Sequence, residues 1–268
     1  MQVTFLGTGS AMPHPERVQT GLLIETAAGD GRPLLVDCGA GILHRLSQTD
    51  PGYEAVSTVL LTHHHLDHVA DLLPLLKARW LAGEEHLEVV GPAGTKSLVD
   101  SMLDTHDYLD GRVDLQIREI HPDETVEIAG LEIETYETRH SMDCLAYRFR
   151  SLGESDATET PDSEADATET PGEFVFSGDS EAFDGLASFA DGAQVLAHDC
   201  SFPDGIDVDN HPNPSQLGEV LAGRDIDRVY LTHQYPHTDG KEEAMIESVE
   251  SSFDGEVRMA RDGLRFRV

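Results

Sequence analysis

Lysine occurs at only three positions in 268 residues, Lys77, Lys96 and Lys241, and all basic residues together number 18 against 51 acidic ones. The formal net charge of -33 at pH 7 excludes holding nucleic acid or an anionic membrane by broad basic patches, because such binding works by neutralising phosphates. Cysteine is scarce too. Three thiols (Cys38, Cys144, Cys200), odd in number and far apart, exclude a disulfide framework and a zinc ribbon. No apolar run approaches the roughly 20 residues of a membrane span. The opening MQVTFLGTGS has neither a basic nor an apolar signal region, so no membrane association and a cytoplasmic location are expected.

What is present suits a folded chain: 39% hydrophobic residues are enough for a core, and the length fits one large domain. The acidity is spread along the chain. Residues 151–173 hold eight acidic and no basic side chains, which leaves 43 acidic against 18 basic elsewhere. This surface reads as adaptation to a salty, halophilic solvent, where carboxylates keep their hydration and a Debye length of about 3 Å at 1 M screens their repulsion. The hexapeptide DATETP occurs at 156–161 and again at 166–171. Its polar, acidic composition predicts a low-complexity loop at about 153–172, inserted in a single domain spanning 1–268.

Short apolar runs predict strands over Val3–Leu6, Gly21–Glu25, Leu34–Asp37, Thr58–Thr62, Leu87–Val90, Val113–Ile120, Leu131–Tyr136, Leu145–Phe149, Phe174–Ser177, Val195–His198 and Arg228–Thr232. Helical patterns cover Gly41–Gln48, Ala70–Ala82, Gly94–Asp107, Ser180–Ala190, Ser215–Ala222 and Glu242–Phe253. Some strands are joined by helices and others by hairpins. That mixture predicts two packed mixed sheets with helices outside, an α/β sandwich, better than a doubly wound parallel sheet.

The chemistry concentrates in THHHLDH, directly after the Thr58 strand. His63, His65, Asp67 and His68 place four ligand-type side chains in six residues, and imidazole with carboxylate suits Zn and related divalent ions. A tight turn could divide them between two ions. His64 is expected to face the other way. Isolated candidates follow later strands: His140 in YETRHSM, Asp179 in FVFSGDS and His233 in VYLTHQYP. The N-terminal GTGS is not a dinucleotide fingerprint, since Met12 occupies the third glycine position and Pro13 and Pro15 oppose a helix.

With FLGTGSAMP, LLVDCGAG, HHHLDH, RHS, SGDS, AHDCSF, NHP and LTH in this order, nearly the whole chain resembles the metallo-β-lactamase superfamily, and within it the ribonuclease Z and phosphodiesterase branch. The resemblance implies a four-layer αββα sandwich with two divalent metal ions, Zn or alternatively Mn or Fe, at one edge. It implies His63, His65 and His140 on one ion, Asp67, His68 and His233 on the other, and Asp179 between them. It further implies that Asp67 orients the attacking water, and that His211, held by Asp199, protonates the leaving group. By the same resemblance Asp37 steadies the metal loop and Ser10–His14 lines the substrate entrance. From their positions, a cap on the Gly41 helix is the other role open to Asp37, His198 is a structural strand-end residue, Cys38 and Cys200 are buried and inert, and Trp80 serves the core or an interface.

The implied activity is a dinuclear metal-dependent hydrolase of phosphodiesters. The tRNA enzymes of that branch carry a basic glycine-rich arm after the third metal histidine and a serine and arginine after the last one. Here the first interval holds the acidic DATETP repeat, and QYPHTD follows His233. RNA and a small nucleotide therefore both stay open as substrates. A lactonase or thioesterase of the same fold, a non-catalytic metal-binding relative, and a homodimer formed through the helix bearing Trp80 are the remaining alternatives.

Overall fold

Leu22 and Ile24 turn to one side of their strand and Leu23 to the other, yet all three are buried. A strand apolar on both faces must lie between two layers. The same alternation recurs at Leu34, Leu35 and Val36, and at Val195, Leu196 and Ala197. The computed structural model, which describes residues 1–153, 172–206 and 208–268, shows the layers that this pattern demands.

The first half of the chain forms β1 (Gln2–Gly7), β2 (Gly21–Glu25), β3 (Leu34–Val36), α1 (Ile42–Leu46), β4 (Thr58–Leu60), α2 (Leu66–Val69), α3 (Leu72–Ala82), β5 (His86–Gly91), α4 (Thr95–Thr105) and β6 (Asp114–Glu119). The second forms β7 (Thr125–Ile128), β8 (Leu131–Glu137), β9 (Leu145–Ser151), β10 (Phe174–Phe176), α5 (Asp184–Phe189), β11 (Val195–Asp199), α6 (Pro214–Leu221), β12 (Arg228–Thr232), α7 (Glu242–Glu250), β13 (Glu256–Met259) and β14 (Arg265–Arg267). Among the described residues there are two seven-stranded sheets, ordered β14-β1-β2-β3-β4-β5-β6 and β13-β12-β11-β10-β9-β8-β7. Both are mixed: β3 to β6 and β10 to β13 run parallel to their neighbours, and the remaining pairs are antiparallel.

One apolar cluster, including Phe5, Leu22, Val36, Tyr147, Phe149, Phe174 and Tyr230, lies between the sheets. A second joins the outer face of the first sheet to α1, α3 and α4, and a third joins the second sheet to α5, α6 and α7. This is the expected αββα order of layers.

Three details differ from expectation. The Ala70–Ala82 helix starts early, as α2, and breaks at Ala70 and Asp71 before α3. Asp71, not Asp37, caps the α1 N-terminus, accepting from the backbone N–H of Gly41 and of Leu43 at 2.9 and 3.0 Å. Strands β7, β13 and β14 were not anticipated. The expected acidic insertion falls almost wholly at 154–171, outside the described residues.

Candidate metal centre

The side chains of interest sit at the carboxyl ends of β4, β8, β10, β11 and β12, the position where open α/β sheets present their sites. After β4 the chain carries His63 and His65, then turns into α2, which holds Asp67 and His68. His140 follows β8, Asp179 follows β10, Asp199 ends β11, and His233 follows β12. His211 lies in the loop before α6, whose start is fixed by a capping box between Asn213 and Gln216.

Two backbone features admit this crowding. A Cβ on Gly39 would lie 2.1 Å from the carbonyl oxygen of Asp67, so only glycine lets the DCG segment pass α2. There the Cys38 amide donates to the His68 carbonyl at 2.7 Å. Asp37 and His233 hold φ values of 60° and 56°, left-handed conformations that cost non-glycine residues about 1–3 kcal/mol and concentrate at functional sites.

Donor atoms gather in two sets. Nε2 of His63 and Nε2 of His140 each lie 3.1 Å from Nδ1 of His65. In the other set, His233 Nε2 lies 3.4 Å from His68 Nε2 and 3.2 Å from Asp67 Oδ2. Asp179 joins them. Its Oδ1 is 3.3 Å from His68 Nε2, and its Oδ2 is 3.3 Å from His233 Nε2, 3.7 Å from His63 Nε2 and 3.9 Å from His140 Nε2. A neutral imidazole carries one N–H, so three ring nitrogens facing each other leave lone pairs unmatched. Ligand atoms 2.0–2.1 Å from a tetrahedral ion stand roughly 3.3 Å apart, and the observed spacings fit that edge.

Electrostatics suit the donor roles of His63, His65, His140 and the two carboxylates, whereas His68 is held protonated by its carboxylate neighbours. Burial lowers the pKa values of His63, His65 and His140, which keeps those rings neutral with lone pairs available. Burial would also lower His68, but Asp179 and Asp37 reverse the shift and raise it well above the usual value. Burial would raise Asp179, yet His233, His68 and His63 hold its carboxyl well below the usual range. Asp67 is lowered in the same way, by His233 and His68 against its burial.

A surrounding set of polar groups orients the rings. Asp37, fully buried, accepts from His68 Nδ1 at 2.7 Å and from the Thr62 amide and hydroxyl at 2.8 Å each. The Thr62 hydroxyl also lies 3.0 Å from His63 Nδ1. On the opposite side Ser201 donates to Asp199 Oδ1 at 2.6 Å and meets His233 Nδ1 at 3.0 Å. The remaining Asp199 oxygen accepts from His211 Nδ1 at 2.6 Å. Burial would lower His211, but Asp199, then Asp179 and Asp67, raise its pKa to about 9.

The structure thus brings together all the residues singled out from sequence as ligands, with His211 and Asp199 beside them. Among the described residues three groups could hold a metal: His63, His65, His140 and Asp179; Asp67, His68 and His233; and Asp179, Asp199, His211 and His233. His64 turns away to the Thr95 hydroxyl at 2.8 Å. His198 bonds the Asp199 carbonyl, and the three cysteines are buried with thiols pushed up by burial. Ser10 is buried and donates to the Gln234 carbonyl at 3.4 Å, which places that loop next to the segment after His233. Thr62, Ser201 and Tyr235 escaped the sequence reading. Ser201 was within reach of it, since residues two apart near a strand end share a face, and Asp199 was already in view.

Residues 32–234 match the family model described as a beta-lactamase superfamily domain. A ribonuclease Z from Methanopyrus kandleri is 34% identical over 98% of this chain and 96% of its own length. The solved metallo-β-lactamase fold protein YhfI from Bacillus subtilis is 23% identical, with a TM-score of 0.79 over 100% of this chain and 99% of that one. Human tRNase Z, short form, is 18% identical, with a TM-score of 0.74 over 100% and 99% of the two chains. These two structures speak for the fold alone. Taken with the sequence matches, they leave one assignment: the chain belongs to the metallo-β-lactamase superfamily, in its ribonuclease Z-like branch.

Proposed function

We propose that this protein is a dinuclear metal-dependent phosphodiesterase that cleaves RNA. The observation that carries the reading is the placement of Asp179, whose carboxylate faces both sets of donor atoms at 3.3 to 3.9 Å. His63, His65 and His140 would hold one ion, Asp67, His68 and His233 the other, and Asp179 would join them. Neutral imidazoles with carboxylates suit Zn, with Mn and Fe as the other candidates. Such a pair supplies an ionised water near neutral pH and an electrophile for the attacked phosphoryl group.

The chain's own residues do the remaining work. Asp67 orients the attacking water and accepts its proton. His211, charged at neutral pH and anchored through Nδ1 by Asp199, donates from Nε2 to the leaving alkoxide. The relative's identity as a ribonuclease Z supports RNA as the substrate over a smaller nucleotide. The acidic surface supports a salt-rich cytoplasm as the working solvent. Among the described residues no helix is long and apolar enough to cross a membrane. The face of α3 that carries half-buried Trp80 is where a second copy would pack.

The test is purification in concentrated KCl, metal analysis, and parallel assays on precursor tRNA, a cyclic nucleotide, bis-aryl phosphate, a lactone and a thioester. Two metal equivalents and phosphodiester turnover, abolished in Asp67→Ala, are expected. Ester turnover without phosphodiester turnover would instead identify a lactonase or thioesterase. Two equivalents with no turnover would identify a binding protein.

A further inference from the structure

The segment leaving His233 runs Gln234, Tyr235, Pro236, His237, and none of its side chains belongs to either donor set. Tyr235 nonetheless borders the centre, with its ring centroid 6.0 Å from that of His233 and 6.1 Å from that of His211, and roughly edge-on to both at 74° and 65°. Its own ring stacks on Phe202 at 4.6 Å and 23°. Phe202 is 8% exposed and forms a floor, whereas Tyr235 is half-buried and His237 is exposed. The His237 ring lies 5.5 Å from Phe202 and 6.4 Å from Tyr235. Three rings therefore stand together beside the general-acid candidate, with solvent-accessible surface on two of them.

Two arginines adjoining this edge of the centre are already engaged. Arg17 is tied to Asp239 at 2.7 Å, Arg139 lies over the Phe183 ring at 4.3 Å, and the chain as a whole carries 51 acidic residues against 18 basic ones. Phosphate contacts also weaken steeply as salt rises, because their strength comes from counterion release. Stacking of a base on an aromatic ring lacks that dependence and tolerates any base, since each has a π-face.

We infer that Tyr235, backed by Phe202 and flanked by His237, is a stacking subsite for a nucleobase next to the scissile phosphodiester. The inference rests on the phosphodiesterase reading and adds how an acidic enzyme holds its substrate: by the base, with no basic arm. Tyr235 is a positioning residue here. Its ring fixes the flanking nucleotide so that the bond to be broken lies between the donor sets and His211. One stacked base is worth roughly tenfold in affinity.

The test uses the metal-loaded full chain and short single-stranded RNA carrying 2-aminopurine on either side of the cleavage point, since that base loses fluorescence when it stacks. Quenching is expected at one of the two positions in the wild type. Tyr235→Leu, which keeps an apolar contact with Phe202, should abolish the quench and raise KM about tenfold with kcat within about twofold. Tyr235→Trp should restore both. An oligonucleotide abasic at that position should show the same KM with wild type and Tyr235→Leu. Equal quenching in wild type and Tyr235→Leu, or an equal rise in KM on base-bearing and abasic RNA, overturns the subsite. Quenching without hydrolysis of any phosphodiester would overturn the phosphodiesterase reading, and with it the link to a scissile bond, leaving only base binding at Tyr235; hydrolysis without quenching would overturn the subsite and leave the phosphodiesterase reading standing.

Discussion

Asp37 accepts the Nδ1 proton of His68 at 2.7 Å with neither side chain exposed to solvent. That bond orients the His68 ring with Nε2 toward His233 and Asp179, where a bound cation would displace the Nε2 proton while Nδ1 keeps its own. Asp37→Ala takes the acceptor from the Thr62 amide and the nearest acceptor from the Thr62 hydroxyl and from His68 Nδ1, whose remaining contacts are longer, at 3.0 and 3.4 Å. Destabilisation of about 3 kcal/mol is expected, together with a loss of roughly 10- to 100-fold in affinity for one of two metal equivalents. Calorimetric titration of metal into the apo-protein reads this directly. Unchanged affinity for both equivalents would remove Asp37 from the metal centre.

The 2.6 Å contact between His211 and Asp199 sets a pH dependence. Burial alone would push the His211 pKa down, and the Asp199 carboxylate reverses this to about 9. A histidine with a raised folded-state pKa is charged below it, so the acid is present at neutral pH and lost as pH rises toward 9. Its stabilising contribution follows the same sense, complete below the unfolded value of 6.5 and gone once pH passes about 9. Cations held at the two donor sets would offset the help from Asp179 and Asp67, so the descending limb of kcat is expected at or below about 9. Asp199→Asn should move that limb down by at least about one pH unit and lower kcat at pH 8 by roughly 100-fold on a substrate with an alkoxide leaving group. An aryl leaving group needs no proton, so kcat on bis-aryl phosphate should barely change. An equal loss on both substrates would count against an acid role.

How much of this was legible in the sequence follows from where the information lies. The doubly buried strands are apolar at every position, and the ligands directly follow them, so both could be read from composition and order. Strands β7, β13 and β14 have the sequences TVEI, EVRM and RFR, with every other residue exposed and mostly charged. Each is only three or four residues long, too short for alternation to register, and each lies at or near a sheet edge where one face meets water. The capping of α1 by Asp71 was hidden for a different reason. That contact spans 30 residues, and local spacing favoured Asp37. Tyr235 was hidden because its role comes from a ring, Phe202, on another loop.

Asp262 ties the N-terminal loop to the connection between β13 and β14. Its Oδ1 accepts from the Thr8 amide and hydroxyl at 3.0 and 2.8 Å, and its Oδ2 accepts from the Val18 amide at 2.8 Å and from Arg45 at 3.1 Å. The same loop hands the Gln234 amide an acceptor, the Thr8 carbonyl, at 2.8 Å, so it also steadies the segment after His233. Asp262→Ala strands several donors at once and should cost about 2–4 kcal/mol, seen as a fall in Tm of roughly 5–10 °C. Asp262→Asn keeps an acceptor and should lose less than half as much. If thermal scans showed the two variants equally stable, the carboxylate would be no more than a surface charge.

Salt should stabilise this protein, and the magnitudes say why. Exposed ion pairs such as Lys96 with Asp100 are worth about 1 kcal/mol at most, and salt weakens them. The repulsion among 51 acidic groups opposed by 18 basic ones acts over the whole surface and is weakened by the same salt. Shortening the Debye length from about 10 Å at 0.1 M to about 3 Å at 1 M removes far more repulsion than attraction. Tm is therefore expected to climb steadily between 0.1 and 2 M KCl. A neutral osmolyte at matched water activity separates screening from solvent exclusion, because sucrose leaves the charges unscreened. If sucrose raised Tm as much as KCl did, repulsion would not be the governing quantity. If neither raised it, the acidity would owe nothing to a salty solvent. The base-stacking subsite gives the complementary expectation in the same experiment, since KM for short RNA should stay nearly flat while Tm climbs, whereas a phosphate-gripping enzyme would lose affinity steeply over that range.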